Sequence, residues 1–333
     1  MTGGSPASGA VQICPPGRLV CGMQLPIVAQ SRVFAQPWEA GAGRDEIRRI
    51  AQACDRAGFF YLAVCDHIAI PRAQAEAMST VWYDIFSTLG FLAACTERIR
   101  LLSYVLVLPY RHPLVAAKAL CTLDALSGGR LIIGVGAGHL QGEFAALGVD
   151  FASRGRLLDE AIVALQAALT EEFPTHQGTY WRFADLGIRP RPVQRPRPPI
   201  WVGGSTPGAL RRAARLGDGW LPQGVPAIGM EAALEYLRRE RQRARGNEPL
   251  EVGINSPWLY VGEPPPELAP HCTSGSPEQI AALIRRLGAL GVQHIGVRFR
   301  SRSCAELVEQ IERFGSEVLP LLETASECDP AKR

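Results

Sequence analysis

Apolar runs of strand length alternate along this chain with stretches whose apolar residues recur at three- and four-residue spacing. Leu19 to Pro26 is the first run. Ile47, Ile50, Ala51, Cys54 and Ala57 then share one helical face, and Gly58 stands where a helix C-terminus favours glycine. Phe59 to Val64 follows as a second run, bounded by Asp66-His67. Its apolar residues are continuous, which describes a strand covered on both faces and hence a parallel sheet.

The alternation continues to the C-terminus. A helix is predicted over Val81 to Thr96, then a strand from Arg100 running into Leu-Pro-Tyr-Arg-His, a helix from Pro113 to Leu126, and a strand over Arg130 to Val135. Leu157, Leu158, Ala161, Ile162, Leu165 and Leu169 mark a further helix. Residues 173 to 199, rich in Pro and Arg, interrupt the rhythm as an extended surface connection. Pro199 to Gly204 is a short strand ending on two glycines, Asp218 to Pro222 is a sixth short strand, and Thr206-Pro207 reads as an N-cap with proline at the first helical position. A charged helix spans Gly229 to Arg245. Leu250 to Val261 is a seventh strand, with a break expected at Asn255-Ser256-Pro257, and the proline-rich loop Glu263 to Pro270 follows. Ser276-Pro-Glu-Gln279 has the form of a capping box, His294 to Phe299 is the eighth strand, and Ser303 with Glu306 caps a last helix.

Eight strands, each followed by a helix, describe an α/β fold of the (β/α)8 TIM-barrel type, with extended loops at the C-terminal face accounting for a length above the usual ~250 residues. A doubly wound open sheet is the competing arrangement. The expected organisation is a loose N-terminal tail over 1–18, a single domain over 19–323 and a C-terminal tail over 324–333.

Composition narrows the class. The 333 residues are 47% hydrophobic and 20% charged, enough to bury a large core. A formal charge of +3 from 35 basic and 32 acidic residues, mixed along the chain, gives no single-sign patch to draw nucleic acid or an anionic membrane. No apolar stretch reaches the ~20 residues of a membrane span, and the first 18 residues lack the pattern of a signal peptide. Nine cysteines without a C-x-x-C pair suggest reduced thiols, so the expected location is the cytoplasm.

In a barrel the chemistry sits where strands exit at their C-terminal ends. Those exits carry Asp66-His67, Tyr110-Arg111-His112, Gly136-Ala137-Gly138-His139, Gly203-Gly204-Ser205-Thr206 and Trp220-Leu221-Pro222. Three of the six histidines lie there, the residue type best suited to proton handling near neutral pH. No His-x-His or His-x-x-x-His pattern and no Cys pair at ligand spacing accompanies them, so no metal is expected. The glycines from Gly134 to Gly138 do not follow the G-x-G-x-x-G order, and either a tight turn or a flat ring pressed against backbone would explain them. Gly203 to Thr206 precedes a helix start, where free N–H groups favour an anion; a plain capped turn explains the same residues.

Taken in order, Gly22-Met-Gln-Leu-Pro26, Cys65-Asp-His67, Leu106-Val-Leu-Pro-Tyr-Arg-His-Pro113, Leu126-Ser-Gly-Gly-Arg130, Gly134-Val-Gly-Ala-Gly138 with Glu143 downstream, Pro199-Ile-Trp-Val-Gly-Gly204 and Gly217-Asp-Gly-Trp220 resemble the bacterial-luciferase-like flavin monooxygenase superfamily, and within it the branch that uses the deazaflavin coenzyme F420. The resemblance covers Cys21 to Leu322. It implies hydride transfer between F420 and a small organic substrate; the alternatives are a two-component monooxygenase using FMN and a flavin- or deazaflavin-binding protein without catalysis. It further implies a cofactor resting on a non-proline cis peptide at Ser103-Tyr104, flanked by Gly136, Ala137, Gly138 and His139, with its phosphate held by Gly203, Gly204, Ser205 and Thr206. His67 would handle a proton or polarise the ring carbonyl, and Asp66 would orient it. His139 stands where relatives often carry Trp or Glu, which leaves the substrate open. Gln24, Trp82, Tyr110, Arg111, His112 and Trp220 are placed around the substrate, with loop 263–270 as a partial lid. A homodimer is expected from the resemblance alone.

Overall fold

Eight parallel strands close on themselves. In chain order they are β1 (Val20–Gln24), β2 (Tyr61–Val64), β3 (Arg100–Ser103), β4 (Leu131–Gly136), β5 (Ile200–Val202), β6 (Gly219–Trp220), β7 (Glu251–Val261) and β8 (His294–Phe299). Each pairs with the next, and β8 returns to β1 with Val20 opposite His294 and Met23 opposite Val297. The principal helices between them are α1 (Arg44–Arg56), α2 (Ile85–Cys95), α3 (Pro113–Leu126), α4 (Arg154–Thr170), α5 (Pro207–Leu216), α6 (Met230–Arg245), α7 (Pro277–Gly288) and α8 (Cys304–Arg313). The chain is therefore a (β/α)8 barrel and not an open sheet. The structure, a computed structural model, describes residues 9–15 and 17–324. Residues 1–8 and 325–333, which hold much of the two expected tails and Cys328, lie outside the described residues.

The continuous apolar runs reflect burial on both faces of each strand. Along β2, Tyr61 and Ala63 point into the barrel while Leu62 and Val64 pack outward against helices. Leu102 and Tyr104, Ile132, Trp201 and Leu221 join the interior set from the following strands. Leu101, Ile133 and Val202 belong to the outer layer. A strand so placed has no polar face to alternate with.

Side-chain caps fix the helix starts. Thr206, Ser276 and Ser303 each accept from the backbone N–H three residues on, as their positions predict. α2 begins later than its apolar spacing suggests. Asp84 caps it by accepting from Ser87, and residues 81–83 run extended because Tyr83 N–H donates to the Val28 carbonyl and Gln30 N–H to that of Val81. β7 is continuous, and the expected break is a register shift between Asn255 and Trp258, where a bulge accommodates Pro257. Residues 173–199 contain a two-stranded antiparallel hairpin, His176–Gln177 with Arg182–Phe183. None of the described helices is long and apolar enough to cross a membrane.

At the N-terminal end of the barrel, buried carboxylates organise the loops. Asp218 is 1% exposed and accepts from Arg197 at 2.5 and 3.2 Å and from Ile200 N–H at 2.7 Å. Within the stretch expected to be a loose tail, Val11 N–H donates to Asp218, and the N–H groups of Ile13 and Cys14 donate to Glu251. These bonds add to the partners of Asp218 and satisfy one oxygen of Glu251. Removing one member of a buried ion pair leaves an uncompensated charge. Asp218→Ala should lower the unfolding free energy by about 3–5 kcal/mol, read from urea titrations; a loss below about 1 kcal/mol would show that Arg197 finds another partner.

Candidate active site

The exits of β2, β3 and β4 meet at one carboxylate. Glu143, on the short helix Gln141–Ala146 after β4, is 1% exposed and accepts four hydrogen bonds. His67 Nδ1 lies 2.9 Å and the Tyr110 hydroxyl 2.7 Å from Oε2, while Ile68 and Ala69 N–H donate to Oε1 at 2.5 and 3.1 Å. Burial pushes this carboxyl up, but the bonds from His67, Tyr110, Ala69 and Ile68 together outweigh burial and hold it at about 2. A carboxylate at Oε2 requires the proton on His67 Nδ1, so the neutral ring presents an unprotonated Nε2. The His67 ring is packed edge-on against Trp82 at 4.4 Å and lies 5.4 Å from His139. Desolvation by the cavity walls, then the neighbouring His67, push the pKa of His139 down.

Asp66 does not orient His67. Its oxygens accept from Arg111 at 2.6 and 2.9 Å and from Val107 N–H at 2.8 Å, tying the β2 exit to the loop after β3. The expected Asp66–His67 pair is thus replaced by two separate pairs, Asp66 with Arg111 and Glu143 with His67. Adjacent residues leaving a strand point in opposite directions, and each finds a partner on a different neighbour.

Asp66, His67, Trp82 and His139 border a cavity of about 570 Å³ at the C-terminal mouth, within the range of cofactor-binding clefts. Tyr104 and Val105 form its floor. The non-proline cis peptide joins these two residues, one position beyond the expected Ser103-Tyr104 bond. Tyr104 N–H still donates to Val64, so the β2–β3 ladder extends through residue 104 and the departure comes after it. The Val105 side chain fills the space between β4 and β5: a Cβ on Gly136 or Gly203 would fall 2.4 or 2.5 Å from its methyl groups. Those two glycines are therefore required by close approach of Val105.

The opposite end of the cavity from His67 is suited to an anion. Gly203, Gly204, Ser205 and Thr206 line it ahead of α5, together with Arg154 and Arg212. Arg212 is braced by Asp159 and the Gly155 carbonyl, Arg154 by the Phe151 carbonyl. The N–H groups of Gly204, Ser205 and Thr206 have no hydrogen-bond partner among the described residues. Free N–H groups, a helix N-terminus and two guanidinium groups fit the phosphate of a flavin or deazaflavin.

The expected site residues divide accordingly. Gln24, Asp66, His67, Trp82, Tyr104, Gly136, Ala137, Gly138, His139 and Gly203 to Thr206 all line the cavity. Ser103 does not: its hydroxyl bridges the N–H and carbonyl of Gly134. Tyr110 and Arg111 are turned away to Glu143 and Asp66, and His112 is an exposed N-cap of α3, accepting from Leu114 N–H. Trp220 is fully buried and donates to the Gly204 carbonyl, supporting the anion loop from behind. No residue of loop 263–270 reaches the cavity. Glu143, Arg154 and Arg212 complete the site. Their sequence surroundings read as helix surface, and only the quoted Glu143 carried any signal. No cluster of three or more His, Cys, Asp or Glu suited to a metal occurs among the described residues.

Comparison with known proteins places the chain in company. Residues 23–268 match the luciferase-like monooxygenase family. Among curated proteins, the chain is 30% identical over 215 residues to the FMNH2-dependent dimethylsulfone monooxygenase of Pseudomonas putida, covering 64% of this chain and 57% of that enzyme. Among solved structures, monooxygenase RslO1 from Streptomyces bottropensis superposes with a TM-score of 0.74 at 25% identity, covering 91% of this chain and 99% of that one. The coenzyme F420-dependent tetrahydromethanopterin reductase of Methanopyrus kandleri shares the fold, with a TM-score of 0.68 at 18% identity over 92% of this chain and 100% of that one.

The Glu143 cluster has a pH signature. Its folded value of about 2 lies below that of an unfolded glutamate, so its stabilising contribution is complete above about pH 5 and is lost as pH falls towards 2. The difference in unfolding free energy between the wild type and Glu143→Gln should therefore shrink as denaturant titrations move from about pH 6 to pH 3. A difference that stays constant would mean the carboxylate contributes through shape alone.

Proposed function

The chain belongs to the luciferase-like monooxygenase family, whose relatives include FMN-dependent and F420-dependent enzymes, and on that premise we propose that it is the oxygenase component of a reduced-FMN-dependent monooxygenase acting on a small organic molecule. The observation that carries this reading is the polarity of the cavity, with an anion cradle at one end and a histidine of fixed tautomer at the other. The choice of FMN over F420 is supported by the 30% identity to an FMNH2-dependent enzyme; the deazaflavin enzyme at 18% identity supports the fold only.

In this reading Gly204, Ser205, Thr206, Arg154 and Arg212 bind the cofactor phosphate, and the backbone from Gly136 to Gly138 lies along the ring system. Reduced FMN, when bound, supplies the electrons with which one atom of dioxygen enters the substrate and the other leaves as water. His67 holds or releases a proton at Nε2, and the ionised Glu143 stabilises the imidazolium when that proton is present. His139, kept neutral by desolvation and by His67, offers a second acceptor without adding charge. Trp82, Tyr104 and Val105 present apolar surface that limits water beside these groups.

Titration of the purified chain with FMN and with F420, each oxidised and reduced, followed by tryptophan quenching, should show preferential binding of FMN. Selective binding of the deazaflavin would sink the proposal in favour of hydride transfer. His67→Gln should lower turnover by about 10²-fold while leaving FMN affinity within about twofold of wild type; equal loss of binding and turnover would make His67 a cofactor contact only.

A further inference from the structure

A side cavity of about 40 Å³ opens off the mouth between β1, β7 and β8, sharing Gln24, Ala29 and Phe34 with the main cavity. By the usual allowance of ~10–15 Å³ per water it holds roughly three waters, the size of one carboxylate or sulfonate group. Its outer wall contains Arg298, near the end of β8.

Arg298 is unlike the other inward-turned arginines of this chain. Arg197 is paired with Asp218, Arg111 with Asp66, and Arg241 donates to the carbonyls of Ala214, Gly217, Glu248 and Pro249. The Arg298 side chain makes no hydrogen bond to any described residue and has no carboxylate within 4.0 Å among them, and its Nε is buried without a partner. Aromatic rings flank it: the guanidinium carbon lies 5.5 Å from the Phe34 ring centre and 5.7 Å from that of Trp258. Arg300 stacks on Trp258 at 4.0 Å and adds charge of the same sign. Glu39, the acid bordering the side cavity, spends both oxygens on the N–H groups of Ile27 and Gln36, and burial raises its pKa towards the neutral form. Arg298 is partly buried, and a partly desolvated guanidinium without a counter-charge is stabilised by a bound oxyanion, which its two terminal nitrogens remain free to meet.

The cofactor phosphate cannot be that counter-charge, because its cradle follows β5 and the ring order of strands sets β5 across the barrel from β8 and β1. We propose that Arg298 is the recognition residue for the oxyanion group of an organic-acid substrate, a carboxylate or sulfonate lodged in the side cavity with its carbon skeleton running past Phe34 towards His67. This assignment of substrate class rests on the oxygenase reading of the same mouth. Phe34 and Trp258 flank the apolar portion next to the acid, and Arg298 fixes which end of the molecule enters first.

The test titrates the intact chain, with and without oxidised FMN, using acids and their uncharged counterparts: benzoate against benzamide, benzenesulfonate against benzenesulfonamide, and hexanoate against hexanamide. Tryptophan fluorescence and melting temperature report binding without turnover. In the wild type at least one acid should bind about tenfold or more tightly than its amide, and Arg298→Met should abolish that preference while Arg298→Lys keeps part of it. Arg298→Gln serves the same purpose if the methionine variant does not fold. No preference for any acid in the wild type, or a preference that survives in Arg298→Met, overturns the proposal. FMN affinity separates the two readings: failure of FMN to bind, with the Arg298-dependent preference intact, removes the oxygenase reading and leaves the acid site standing.

Discussion

Four donors converging on the Glu143 carboxylate hold the mouth of this barrel together. They come from two loops, the segment after β2 and the loop after β3, and the acceptor belongs to the segment after β4. A buried carboxylate tolerates its position only when its lone pairs are used, so each donor secures the others. The tautomer of His67, the turn at Ile68-Ala69 and the retreat of Tyr110 from the cavity are three results of that one requirement. Asp66 performs the neighbouring task, joining β2 to Val107 and Arg111, so the wall of the site is stitched by two acids with separate clients.

The two ends of the barrel use buried charge differently. Under the barrel, Asp218 and Glu251 draw in Arg197 and the backbone of residues 11–14, and the result is a closed end. At the mouth, N–H groups before α5 and the guanidinium of Arg298 are left without hydrogen-bond partners among the described residues. Carboxylates close the end away from the site, and donors are left open at the end where a ligand can reach them.

Much of the fold was legible because its signals are local. Unbroken apolar runs, the N-caps at Thr206, Ser276 and Ser303 and the eightfold alternation each depend on a few neighbouring residues. Partner choice was not legible, because it is decided across the chain. Asp66 beside His67 suggested a pair, yet Arg111 and Glu143, 45 and 76 or so positions away in sequence, took them separately. Tyr110, Arg111 and His112 are contiguous but face three surroundings, and none borders the cavity. Val81 to Tyr83 carried a helical apolar pattern, and hydrogen bonds to Val28 and from Gln30 keep them extended, which is what brings Trp82 to the site. Arg154 and Arg212 looked like solvated helix arginines because nothing in their own segments reveals that the start of α4 and the middle of α5 face one cleft.

Tyr104 gives the cavity floor a peculiar construction. Its hydroxyl donates to the Pro222 carbonyl at 2.6 Å and receives the Asn255 amide at 3.0 Å, so a side chain from β3 spans the barrel to the segments following β6 and within β7. The depth of the cleft is therefore set by a removable strut and not by the sheet itself. A lineage built on this scaffold can lengthen or shorten the chamber by changing one residue and its amide partner, while every rung of the barrel ladder stays in place. Substrate size and barrel integrity are in this way separable traits, open to independent adjustment.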